Sequence, residues 1–125
     1  MPDRSSWLTA ANLAFAALFV VAAALQYNDP DQLRWIALYG GAAAAALAAR
    51  HVAGGWRAAL LVAVVAAIWA AITWSDVVGH VEVTDLWRKM SEQGGAVEQY
   101  REAGGLTIVA AWLLAIGLAG RRAPP

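Results

Sequence analysis

The chain contains no cysteine, so disulfides, thiolate metal sites and cysteine nucleophiles are excluded. Charge is scarce as well: 14% of the 125 residues are Asp, Glu, Lys or Arg, against about 25% in ordinary soluble domains. The nine basic and nine acidic residues cancel, and no basic footprint points to nucleic acid. Neither a GxSxG nucleophile elbow nor a phosphate-cradling glycine loop occurs, and the GG pairs lack the spacing those motifs need.

Apolar residues fill the space that charge leaves. They make up 61% of the chain, and mean hydropathy is +0.52. Four uncharged stretches stand out, at 5–28, 35–49, 58–75 and 103–120. A spanning helix needs about 20 mostly apolar residues. Three stretches satisfy this directly. The second is shorter, but Arg34 and Arg50 can snorkel and its helix can begin near Pro30, which restores the length. A re-entrant second segment is the alternative. These features predict an all-α fold, an integral membrane four-helix bundle forming one membrane domain over 1–125. The expected spans are 7–26, 31–49, 57–75 and 102–119, with a non-cytoplasmic loop over 76–101. The first hydrophobic run is long for a signal peptide and only one Arg precedes it, so it is read as a span that is retained.

Aromatic residues mark the limits. Trp7, Tyr27, Trp35, Trp56 and Trp74 fall at segment ends, where amphipathic rings favour the headgroup level. Trp69 and Trp112 lie deeper, and their indole N–H groups predict positions facing neighbouring helices. For Trp69 a lipid-facing position just below the interface is an equal alternative. Arg4, Arg50, Arg57, Arg121 and Arg122 belong to the side of the termini, in short segments. Arg34, Arg88, Lys89 and Arg101 lie opposite, mostly in one long loop. That density predicts cytoplasmic termini. The alanine- and arginine-rich composition associates the chain with a bacterial inner membrane.

No Asp, Glu, Lys, Arg or His lies deep within any expected span. Proton relays and ion pathways usually require such groups. The interior polar side chains are Thr9, Asn12, Thr73 and Thr107, and Asn12 is expected to bond a neighbouring helix rather than a substrate. Gly40, Ala44 and Ala48 recur every four residues and predict a face that admits another backbone. Gly117 offers the fourth span a similar option. Chance patterning in alanine-rich sequence is the competing explanation.

Polar residues concentrate on the other side. In QYNDPDQ, 26–32, Asn28 suits the close of the first helix through a left-handed conformation. Asp29 suits an N-cap, Pro30 the first helical position, Asp31 the first turn, and Gln32 a capping box. Every residue thus has a place in a tight helical hairpin. In the long loop, Val83, Leu86, Trp87 and Met90 predict a short amphipathic surface helix over 84–90. Beyond Gly94-Gly95, Glu98, Arg101 and Glu102 share a helical face that runs into the fourth span. Asn28, Asp29, Asp31, Glu98, Arg101 and Glu102 form the candidate polar cluster, with Arg101 expected to lock the hairpin through Asp29 or Asp31. A carboxylate cluster that recruits a hard cation is the sharper alternative. His80 and Glu82 form an HxE, but a zinc site ordinarily needs further His or Cys ligands, and His51 lies on the opposite side. No catalytic residue, metal site or cofactor is expected.

The stretch QYNDPD with Trp35 and Tyr39 resembles the first hairpin of the transmembrane protein 220 family. Glu98, REAGGL at 101–106 and Trp112 are similar to that family's last span and its approach, and Trp69 fits the aromatic of its third span. Most of the chain is covered, apart from the loop over 77–96. The resemblance implies a small four-span membrane protein and brings no substrate with it.

These readings point to a structural or partner-binding membrane component, more a non-enzyme than an enzyme. Its expected partners are the lipid bilayer and another membrane protein or a second copy of itself. The alternative is an enzyme, or an ion or small-ligand binder, with a carboxylate–arginine site on the non-cytoplasmic face.

Overall fold

The computed structural model describes residues 4–28, 31–80 and 95–122, with side chains over 6–28, 31–76 and 99–122. All regular structure among them is helical. The elements are α1 (Arg4–Ala24), α2 (Gln32–His51), α3 (Trp56–His80) and α4 (Gly95–Arg122). The sequence-predicted surface helix over 84–90 lies outside the described residues. Asn28 sits in the turn after α1. No described non-glycine residue has a positive φ, so the left-handed close anticipated at Asn28 does not form.

Three helices are long and apolar enough to cross a membrane, over Ser6–Ala24, Trp56–Asp76 and Gln99–Arg122. The fourth, α2, is diluted by Gly, Ala and Arg. It is nonetheless one uninterrupted helix of 20 residues, roughly 30 Å long, rather than a broken or re-entrant segment. It packs against α1, α3 and α4 and contributes eight buried residues to the core. α3 and α4 form the most extensive helix pair and α1 and α2 the next, and α2 joins the two pairs.

The bundle reverses the usual placement of side-chain size. On α3 the buried positions are Ala59, Ala63, Ala66 and Ala70, whereas Leu61, Val64, Val65, Ile68 and Ile72 are exposed. In water those large apolar side chains would be a liability. In lipid they meet hydrocarbon, and the alanines let helix backbones approach. The buried partners on α4 are larger: Leu106, Val109, Leu113 and Ile116, each 0% exposed. Gly117 of α4 lies against Leu60 and the Trp56 carbonyl, as its predicted packing role requires, and Gly120 lies against Trp56 and the Ala49 carbonyl.

The predicted close-packing face of α2 is corrected. Gly40 and Ala44 are exposed and Ala48 is half-buried. The face turned inward carries Trp35, Leu38, Tyr39, Ala42, Ala46 and Ala49. In an alanine-rich helix small residues occur on every face, so their spacing cannot select one. The bulky Trp35 and Tyr39 select it, because their rings fill space that only neighbouring helices can offer.

Candidate functional site

Polar side chains within the bundle serve as ties between helices. Asn12, 0% exposed, donates from Nδ2 to the Ala46 carbonyl at 2.7 Å. Its Oδ1 accepts from Trp112 Nε1 at 2.8 Å. One amide therefore links α1, α2 and α4, and Phe15 stacks on Trp112 at 4.3 Å beside it. Toward the chain termini, Arg50 donates to Thr9 Oγ1 from Nε at 3.2 Å and from Nη2 at 2.8 Å. Thr73 returns its hydroxyl to the Trp69 carbonyl of its own helix at 2.9 Å. Among the described residues, no buried side-chain nitrogen or oxygen lacks a partner.

The opposite end, which carries the α1–α2 hairpin, gathers the candidate residues. α2 begins at Gln32, with Asp31 at the N-cap position and no side-chain cap hydrogen bond. The start thus falls later than the Asp29-Pro30 reading placed it, and Gln32 occupies the first helical position, too early for a capping box. Instead the Asp31 carbonyl accepts from the Arg34 and Trp35 amides at 3.1 and 3.4 Å. The Asp31 carboxylate pairs with Arg34 Nη2 at 3.2 Å. Both side chains are more than half exposed, so this i,i+3 pair contributes at most about 1 kcal/mol.

The proposed lock is only partly within view. Asp29 lies outside the described residues. Glu98 lies in α4, but its side chain is also outside them. Arg101 is exposed and Glu102 half-buried. Among the described residues no ion pair joins Arg101 to Asp31, which pairs with Arg34. No described group of three or more His, Asp or Glu side chains is arranged to hold a metal ion. His80 falls within α3, and Glu82 lies outside the described residues.

What gathers the helices here is aromatic. Trp35, 2% exposed, stacks on Trp69 of α3 at 4.7 Å and on Tyr39 at 6.2 Å. Trp35, at the start of α2, is thus turned toward neighbouring helices, and so is Trp69. The Arg34 guanidinium lies over both indoles, 5.2 Å from the Trp69 ring centre and 5.5 Å from that of Trp35. Tyr39 extends to α4, where its hydroxyl occupies the place a side chain at Gly105 would need. The Glu102 carboxylate lies within electrostatic reach of that hydroxyl. Trp74 donates to Thr107 Oγ1 at 2.8 Å and meets Tyr100 edge-on at 5.0 Å.

Sequence reasoning did not single out Arg34, which meets Asp31, Trp35 and Trp69, or Tyr39, which reaches α4. The signal for Arg34 was present in the i,i+3 spacing from Asp31. For Tyr39 it was the i,i+4 aromatic pair with Trp35, in phase with the small residues at 42, 46 and 49.

The apolar exterior, the tied interior and the four packed helices define an integral membrane four-helix bundle. Comparison with family models supplies the next step: the model described as transmembrane family 220, helix, matches residues 18–117, and the chain belongs to that family. No curated protein and no solved structure matches it.

Proposed function

We propose that this protein is a structural or partner-binding component of a bacterial inner membrane, with both termini cytoplasmic, and that it acts through helix-to-helix contact rather than catalysis. The observation that carries the reading is a contrast among helical glycines. Gly105, Gly117 and Gly120 each face a neighbouring group where a side chain would stand. Gly40 and Gly41 face nothing within 4 Å. Each helical glycine costs about 1 kcal/mol relative to alanine, and at these two positions no contact with the described residues offsets it. With Ala44 they form an exposed surface of small residues suited to another transmembrane helix. The satisfied interior supports the same reading, because it leaves the surface as the place of action. The arginines at 50, 57, 121 and 122 support the orientation.

The carboxylate–arginine alternative, an enzyme or an ion or small-ligand binder, draws less from the geometry, because Asp31 pairs within its own helical turn. The absence of cysteine makes a direct test possible. Gly40→Cys and Ala44→Cys, oxidised in native membranes, are expected to give crosslinked adducts, and Ala42→Cys, on the buried face, none. Absence of adducts at both exposed positions overturns the reading.

A further inference from the structure

Arg34 is held more firmly than an exposed arginine needs to be. Its guanidinium lies over Trp69 at 5.2 Å and Trp35 at 5.5 Å, and Asp31 takes Nη2 at 3.2 Å. Two indoles fix the plane and a carboxylate fixes one edge. Guanidinium carries five donors, so donors remain along its other edges, and the side chain is 55% exposed. Next to it Leu33 is 80% exposed and Ile36 38%. An open depression of about 350 Å³ lies here, lined by Asp31, Gln32, Leu33 and Arg34.

We propose that this end of α2 binds the headgroup of a zwitterionic phospholipid, phosphatidylethanolamine in chemical class. The phosphate takes the outward donors of Arg34, which match phosphate oxygens in a planar fork. The primary ammonium takes the Asp31 carboxylate, whose two oxygens can accept from several donors at once. The acyl chain lies along Leu33 and Ile36. A charge pair next to exposed apolar side chains, at the end of a membrane helix, matches a ligand that carries both charges and a hydrocarbon tail. A soluble phosphate offers only one of the three contacts.

The test uses the full chain, purified free of lipid in a mild detergent, with phospholipid binding read by native mass spectrometry. Phosphatidylethanolamine is expected to bind more tightly than phosphatidylcholine, whose quaternary ammonium has no N–H to donate. Arg34→Gln is expected to weaken binding about tenfold, the loss of one charge-assisted contact. Arg34→Lys weakens it less, and Asp31→Asn abolishes the preference for ethanolamine over choline. Intrinsic tryptophan fluorescence verifies folding, and Arg34→Lys serves if Arg34→Gln does not fold. Unchanged binding in the folded arginine variants overturns the proposal. So does equal affinity of the native chain for the two lipids, or displacement of bound lipid by millimolar inorganic phosphate.

Discussion

Between α1 and α2 the described polar contacts cross from helix to helix: Asn12 to the Ala46 carbonyl and Arg50 to Thr9. Between α3 and α4 the long contact is made largely of alanines, aliphatic side chains and two glycines, with the Trp74 to Thr107 hydrogen bond crossing near the hairpin end. Both pairs hold together in lipid, where apolar burial alone supplies no preference for a helix over a tail. Side-chain interdigitation depends on shape along the whole interface, so it fails steeply when one position is filled. A hydrogen bond depends on one group and its loss costs a bounded amount. The α3–α4 pair is therefore expected to be the less tolerant of substitution, and the α1–α2 pair the more.

The largest effect should follow from Gly117→Val. A Cβ at this position stands 2.7 Å from Leu60 Cδ2 and 3.3 Å from the Trp56 carbonyl. The second neighbour is backbone and cannot move aside. Valine is a better helix former than glycine, so the local propensity term opposes the loss. A net destabilisation of about 2–3 kcal/mol is expected from overpacking. Denaturant unfolding followed by tryptophan fluorescence measures it. A variant as stable as the native chain would show that α3 and α4 do not meet along this line.

Gly105→Ala comes next, at about 1–2 kcal/mol. The new methyl group takes the place of the Tyr39 hydroxyl, which joins α2 to α4 near Glu102. Tyr39→Phe removes the hydroxyl and should restore most of the stability in the double variant. Gly104→Ala is the adjacent control. Nothing lies within 4 Å of a Cβ there, so the substitution should be neutral or stabilising. Equal losses at 104 and 105 would break the assignment of Tyr39 to this contact.

These positions also show how far the sequence could be read. The four helices and the membrane setting follow from uncharged runs alone, since hydropathy depends on composition and not on neighbours. Asn12 and Trp112 were legible as inward groups, because an amide or an indole N–H in hydrocarbon requires a partner. The orientation of α2 was not, because Gly40, Ala44 and Ala42, Ala46 differ too little in size for their spacing to distinguish the faces. The start of α2 was misplaced because Asp29-Pro30 and Asp31-Gln32 both carry capping chemistry, and the choice between them depends on how the chain enters from α1. Of the candidate cluster, Glu102 is half-buried in α4 and Arg101 exposed beside it. The Asp31–Arg34 pair was overlooked in favour of a longer-range partner, although local pairs form at lower entropic cost.

Asn12→Leu should have the smallest effect of the three, at about 1 kcal/mol. Leucine keeps the γ-branched outline of asparagine, so its methyl groups stand where the amide atoms stood, although it is the larger side chain and adds a small packing cost. What is lost is two hydrogen bonds, to the Ala46 carbonyl and from Trp112 Nε1. The carbonyl already accepts within α2, so it keeps a partner. The indole N–H does not, and its desolvation supplies most of the cost. Trp112→Phe removes that donor and leaves Phe15 a ring to stack on. The double variant should therefore be less destabilised than the sum of the two single variants, since the second substitution removes a group the first has already orphaned. Strict additivity would mean that Asn12 acts through Ala46 alone, and α1 would then be tied to α2 without reference to α4. A loss for Asn12→Leu larger than that for Gly117→Val would reverse the comparison, and place the determining contact of this bundle in a single amide rather than in the fit of two helices.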